Sequence, residues 1–280
     1  MRASDSACRA AAVGRALRCA LVAAGVSAVA VRVCGRLDAI PGWQRQNYDG
    51  RTVSLSGGAA ASLGSLAGAA LERPGRRGAA LLVGTAAALA GGYDDLLAPR
   101  AEAAGDKGIA GHLDAVRAGR VSGGAVKVAV IGGSALIAAG RLRGSGGSPV
   151  ADRLLRAVVI AGSANLLNLL DLRPGRAGKV ALAAGLMSSS GPASGVAAAS
   201  AGAAAAVLPG DLAERTMLGD LGANTLGALV GVRLASGSSP TRVCAAAVIC
   251  ALTAASERVS FSRVIDATPV LRRVDQLGRR

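Results

Sequence analysis

Two neighbouring carboxylates, Asp94 and Asp95, close an apolar stretch that reads ALAGGYDDLLAP. Side by side at the end of a helix, such acids repel each other unless a cation or a basic partner neutralises them. Mg²⁺ suits that position, because it takes one or two carboxylates and fills its remaining sites with phosphate oxygens and water. A third acid, Asp220, stands between Gly219 and Gly222 in RTMLGDLGANTLGALVG, at the start of another apolar stretch. Glycine flanks let a backbone or a phosphate come close, and the free N–H groups of a helix start attract anions. Each feature also has a bland reading. The paired acids could be a solvated helix end, and Asp220 a first-turn acid favoured by the helix dipole.

Two further stretches carry polar groups where hydrophobes would be expected. In SANLLNLLDLRPGRAGK (163–179) the residues Asn165, Asn168 and Asp171 recur every third position. On a helix they fall within one sector, which neither lipid nor a dry core accepts without reason. The loop DKGIAGHLDAVRAGRVSGGAVK (106–127) holds the single histidine, His112, among Lys107, Arg117, Arg120, Lys127 and several glycines. Basic donors around glycines suit a diphosphate, although a lone loop histidine is more often simply solvated. Acids for a metal and bases for phosphates together indicate phosphoryl transfer, in which catalysis is mostly positioning and charge neutralisation.

The elements that must hold these groups are apolar helices. The chain has 280 residues, 51% of them apolar and only 18% charged, with a mean hydropathy of +0.44. A soluble domain carries more charge than this. About nine stretches have close to bilayer-spanning length: 17–35, 53–71, 79–97, 121–140, 154–171, 177–190, 192–208, 218–235 and 242–256. The first follows Arg2, Arg9, Arg15 and Arg18 in the manner of a signal peptide, but the eight stretches after it favour a retained helix. The expected fold is all-α, a multi-pass transmembrane bundle forming one integral membrane domain over 1–280. It comprises an N-terminal segment to about 16, the bundle over 17–256 and a tail over 257–280.

Alternation of the spans sorts the connections onto two sides. Every acid except Asp5, Glu72 and Asp152 falls on one of them. Basic residues also favour that side, which makes it cytoplasmic by the positive-inside rule; the arginine-rich N-terminus, taken alone, prefers the opposite orientation. The net charge of +15 is scattered through short loops with no basic helical stripe, so no nucleic-acid partner is expected. The aromatics Trp43, Tyr48, Tyr93 and Phe261 are too few to mark an interfacial belt. Cysteines 8, 19, 34, 244 and 250 show no Cys-x-x-Cys spacing, and the last four read as small hydrophobes in apolar segments. The spacings Gly64-x-x-x-Gly68 and Gly227-x-x-x-Gly231 permit close helix contact, a weak signal in a chain with 40 glycines.

Taken in order, the motifs resemble those of the polyprenyl-phosphate N-acetylhexosamine-1-phosphate transferases, glycosyltransferase family 4. NYDGRTVSLSGG (47–58) resembles the first cytoplasmic loop, Asp94-Asp95-Leu96 the family's Asp-Asp-Leu, and KGIAGH (107–112) its basic glycine loop. Asn165-x-x-Asn168-x-x-Asp171 is similar to the Asn/Asp signature, and MLGDLGANTLG (217–227) to the Gly-Asp-x-Gly element. The resemblance implies transfer of a sugar 1-phosphate, an N-acetylhexosamine 1-phosphate, from a UDP-sugar to a polyprenyl phosphate with release of UMP. The setting it implies is bacterial cell-envelope glycan synthesis in the plasma membrane, with an active-site cleft facing the cytoplasm and Mg²⁺, or Mn²⁺, as cofactor. It assigns Asp94, Asp95 and Asp220 to catalysis, with Asp95 and Asp220 on the metal. Lys107, His112, Lys127, Asn165, Asn168, Asp171, Arg173 and Arg176 are then the substrate-binding residues. A homodimer is compatible with such a protein.

The chain also departs from the family pattern. Pro174 stands where a second acid is expected after Asp171, with Arg173 and Arg176 beside it, and Ala223 replaces the usual serine. The family's histidine-rich last loop is replaced by Ser260-Phe261-Ser262-Arg263, and the family usually has ten or eleven spans. The alternative is a catalytically degenerate relative that binds polyprenyl phosphate or an envelope-assembly partner. A transporter would place its acids near the midplane in repeated halves, and no repeat is evident.

Overall fold

The structure, a computed structural model, describes residues 2–40, 42–96, 123–142, 148–188 and 190–279, with side chains of the first helix from Ala10 and of the fourth from Gly124. It is almost entirely helical. The main helices are α1 (Arg2–Cys34), α2 (Ser56–Ala69), α3 (Pro74–Leu96), α4 (Gly123–Arg141), α5 (Pro149–Leu170), α6 (Arg176–Met187), α7 (Ser194–Leu212), α8 (Gly219–Ala235) and α9 (Ser239–Ser256). Two short tail helices follow, α10 (Phe261–Ala267) and α11 (Pro269–Gln276). Each expected apolar stretch falls on one of the nine main helices. Pro74, Pro149 and Pro240 open α3, α5 and α9, where the missing N–H costs no helical hydrogen bond.

Five segments are long and apolar enough to cross a membrane: Ala10–Ala39, Gly124–Arg141, Pro149–Leu170, Ser194–Leu212 and Ser239–Ser256. The helices α2 and α6 have only 14 and 12 residues. At 1.5 Å per residue they reach roughly 20 Å, short of the hydrocarbon core.

One correction concerns the stretch 53–71, whose first residues belong to a β-hairpin rather than a helix. β1 (Gln44–Gln46) pairs antiparallel with β2 (Thr52–Ser54), in the register Gln44 with Ser54 and Gln46 with Thr52. The turn forms because the Asn47 side chain accepts N–H hydrogen bonds from Asp49 and Arg51, at 3.0 and 2.9 Å, and Gly50 takes a positive φ of 76°. Ser54 then exchanges backbone hydrogen bonds with Arg215 and Met217, tying the hairpin to the segment that leads into α8. Asn47 and Arg51 both hold Glu214, at 2.6 and 3.3 Å.

The helices pack through small residues. α1 lies against α2 and α7; α8 lies between α3 and α5 and is buried along most of its length. The two glycine spacings are true points of contact. A Cβ at Gly68 would stand 2.8 Å from the Cβ atoms of Ala23 and Ala199, and one at Gly231 would stand 2.7 Å from the Ile160 Cα. With lipid as apolar as the helices, close contact of this kind is what drives association. Cys19 and Cys34 are buried as expected for small hydrophobes, whereas Cys244 and Cys250 sit on the outward face of α9.

Gly227→Ala tests this packing. Its new Cβ would stand 2.5 Å from the Ser163 carbonyl oxygen and 2.8 Å from the Ala164 Cα, both on α5. The expected cost is about 1–3 kcal/mol, read as a lower midpoint of thermal unfolding in detergent. Gly132→Ala, where a Cβ meets nothing within 4 Å, leaves the midpoint unchanged or raises it.

Candidate functional site

Three helices bring three of the sequence-selected residues together. α3 carries Asp94 in its last turn, α4 carries Lys127 near its start, and α8 carries Asp220 in its first turn. The Lys127 ammonium is 3.0 Å from Asp94 Oδ2 and hydrogen-bonds directly to Asp220 Oδ2. The two carboxylates thus share one ammonium group. All three side chains retain a third or less of their exposure, so the cluster is recessed but open to a ligand.

Asp95 turns the other way and closes the N-terminus of α8. Its Oδ2 accepts the Leu221 N–H at 2.9 Å, and the Asp220 N–H points at the same carboxylate. These are orphan donors of a helix start, satisfied here from a different helix. Gly219 makes the approach possible. It has a φ of +59°, and a Cβ there would meet Asp95 Oδ2 at 2.8 Å. Gly222 leaves room for α2, because its Cβ would stand 2.7 Å from the Gly58 Cα. The glycines flanking Asp220 thus admit protein groups, a carboxylate and a backbone.

The row Asn165, Asn168, Asp171 fans out. Three residues turn a helix by about −60°, so the ends of the row differ by about 120°. Asn165 is exposed, Asn168 and Asp171 are half-buried, and neither amide side chain is hydrogen-bonded among the described residues. Asp171 lies within the electrostatic field of Asp211, Asp220 and Asp95, and its Oδ2 is buried without a partner. Asp211, at the end of α7, likewise has a buried, unpartnered Oδ2. Both acids line a cavity of about 300 Å³ with Tyr48, Arg173, Glu214 and Met217.

The two arginines after Asp171 behave differently from each other. Arg173 stacks on the Tyr48 ring at 3.7 Å and lies 3.8 Å from Asp266. Arg176 is buried and committed to the tail. It clamps Asp275 through two nitrogens at 2.7 and 3.2 Å and donates to Ser262 at 3.0 Å. Arg279 and Lys179 complete this dock, on the Asp275 carboxylate and on the backbone carbonyls of Val274 and Asp275. Lys107 and His112 lie outside the described residues.

Two groups near the site were not singled out by motif. Asp211 belongs to no recognisable spacing; its only sequence signal is an acid closing an otherwise alanine-rich stretch. Arg45, on β1, lends positive charge to both Asp94 and Asp95, and its Nη1 is buried without a hydrogen-bond partner among the described residues. Its signal was the hairpin itself, marked by Asp49-Gly50 before Thr52-Val53.

Among the described residues no group of three or more histidine, cysteine or acidic side chains is arranged to hold a metal ion. The pair Asp94 and Asp220 nevertheless has the donor set Mg²⁺ takes when phosphate and water supply the rest. The two carboxylates already share one cation, the Lys127 ammonium. The structure brings Asp94, rather than Asp95, to the cation of Asp220.

Set against known proteins, the chain matches no family model, no curated protein and no solved structure. The fold defines an almost entirely helical protein whose five long apolar helices are compatible with a membrane location.

The tail dock gives a pH prediction. Burial opposes ionisation of Asp275, but the hydrogen bonds and charge of Arg176, with Arg279, outweigh it and hold the carboxyl below its ordinary value. A depressed folded-state pKa stabilises above the unfolded value, about 4, and that contribution is lost as pH falls through the folded value. Hydrogen-exchange protection of residues 269–276 is therefore expected to be constant from neutral pH to about 5 and to fall in stronger acid. Asp275→Asn should lack protection throughout; equal protection in the variant would show that the dock does not depend on this charge.

Proposed function

We propose that the chain is a multi-pass membrane enzyme, with about nine helical segments in the bilayer, that transfers a sugar 1-phosphate from a UDP-sugar to a polyprenyl phosphate. The acid-bearing end of the bundle faces the cytoplasm in this reading. The observation that carries it is the meeting of Asp94, Lys127 and Asp220. They come from three motifs far apart in sequence, and they form the mixed acidic and basic cluster that phosphoryl transfer needs.

In the reaction, an oxygen of the lipid phosphate forms a bond to the β-phosphorus of the UDP-sugar. The bond from that phosphorus to the bridging oxygen breaks, and UMP leaves with the electron pair. Mg²⁺, or Mn²⁺, held by Asp94 and Asp220 would supply charge neutralisation at the diphosphate. With such an ion on the two carboxylates, the Lys127 ammonium would be available to a phosphate oxygen. Arg45, with a buried donor beside the same acids, adds a second contact of that type. Asp95 positions Asp220 through the start of α8. The cavity lined by Tyr48, Asp171 and Arg173 offers an aromatic face and polar groups suited to the nucleotide end of the donor.

The alternative, a relative that binds polyprenyl phosphate or an assembly partner without chemistry, draws support from the Lys127 ion pairs, which already neutralise the carboxylates. The two readings separate on turnover. The enzyme releases UMP from a UDP-N-acetylhexosamine and polyprenyl phosphate only with Mg²⁺ or Mn²⁺, and Asp220→Asn lowers the rate at least about a hundredfold with expression unchanged. Saturable lipid-phosphate binding without UMP release from any UDP-sugar would establish the binding protein instead.

A further inference from the structure

The end of the bundle opposite the acids carries a cavity of the opposite charge. It has a volume of about 350 Å³ and is lined by Arg73, Arg76, Arg141 and Arg156, with Leu142 and Ser236. It is remote from the site above. Along α3, Arg76 and Asp94 are 18 residues apart, and along α4, Lys127 and Arg141 are 14 apart, about 27 and 21 Å at helical rise.

Four guanidinium groups around one cavity repel each other, and a carboxylate would ordinarily stand among them. The acids at this end neutralise only one of the four, Arg156. Glu72 accepts the Gly195 N–H at 3.0 Å and the backbone N–H of Arg73 at 2.8 Å, and its charge pairs with Arg15 of α1 at 3.2 Å. Asp152 is shared by two buried arginines, Arg156 at 2.7 Å and Arg242 at 2.5 Å. Among the described residues no carboxylate pairs with Arg73, Arg76 or Arg141. Arg156 is only 2% exposed and is anchored by Asp152 and by the Ala235 carbonyl at 2.7 Å, so its face of the cavity is fixed before any ligand arrives. Arg141 lies along α3, with its Cδ 3.9 Å from where a Cβ at Gly78 would be. Gly75, in the first turn of α3, also lines the cavity and places free helix N–H groups beside these side chains.

We propose that this arginine-lined cavity binds a phosphate-type anion: a phosphate mono- or diester, or a diphosphate. Guanidinium forks match phosphate oxygens in pairs, and the volume admits a phosphate with part of what it is esterified to. The same chemistry could be presented by an anionic lipid headgroup at the membrane surface or by a soluble phosphate compound. The site is independent of the transfer reaction and needs none of its residues.

The test uses the full chain. It is placed in nanodiscs of phosphatidylcholine with and without phosphatidylglycerol, and native mass spectrometry counts the phosphatidylglycerol retained. In parallel, inorganic pyrophosphate is titrated against thermal unfolding in detergent. Retained phosphatidylglycerol identifies a lipid headgroup, and stabilisation by pyrophosphate alone identifies a soluble anion; either supports the proposal if the arginines carry it. The variant Arg73→Gln/Arg76→Gln/Arg141→Gln should weaken the binding by about tenfold or more, while Arg258→Gln/Arg263→Gln leaves it unchanged. None of the three arginines makes an ion pair among the described residues, so the triple variant should fold; if it does not, the single exposed Arg73→Gln must still weaken binding. Binding of neither probe, or equal binding by the variants, overturns the proposal.

Discussion

A helix buried on all sides must find partners for its first N–H groups inside the protein, and α8 is such a helix. At its opening turn Asp95 supplies a carboxylate from the end of α3. That contact fixes more than a helix end. It holds α3 against α8 where Gly91 allows the Asp220 backbone to pass, a crossing at which a Cβ would stand 2.6 Å from the Leu221 nitrogen. With the two helices locked there, Asp94 and Asp220 have to face each other. Two carboxylates in that position cannot both remain charged without a cation, and Lys127 of α4 fulfils this. Capping, crossing and ion cluster are one arrangement.

The same economy organises the two ends of the bundle. At one end the hairpin and the tail close over the acids, each through ion pairs: Arg51 to Glu214, and Arg176 with Arg279 to Asp275. The hairpin brings Tyr48 to the cavity and the charge of Arg45 to Asp94 and Asp95, and the tail occupies Arg176, so a residue close in sequence to the polar row is withdrawn from it. At the other end arginines outnumber acids, and the acids present are shared or turned away. A bundle whose interior is mostly alanine and glycine has little side-chain volume with which to shape a cleft. Shape is therefore supplied by the charged groups at helix ends and by the short irregular segments between them.

Much of this was legible in the residues. The apolar stretches mark every main helix, and the alternation of spans puts Asp94, Asp171 and Asp220 at one end, with Lys127 in the basic stretch that follows Asp94 and Asp95. The glycines flanking Asp220 announced a close approach. What approached was less legible, since a glycine says only that space is needed and not whether a phosphate, a carboxylate or a backbone fills it. The row of Asn165, Asn168 and Asp171 suggests one face, but a step of three drifts around a helix, so its ends look in different directions. Asp211 carried no local pattern because its importance comes from Asp171, forty residues away.

The sequence by itself determined the helical class, the apolar segments, the polarity of the two ends and the residue types available at each. Those properties follow from local composition and period, which the chain carries at every position. Only the tertiary structure decided which of two adjacent aspartates caps α8 and which shares a cation with Asp220. Neighbouring residues on a helix point about 100° apart, and which direction faces a partner depends on where the other helices cross. The tertiary structure likewise decided that Arg176 holds the tail while Arg173 stacks on Tyr48, because both partners come from segments distant in the chain.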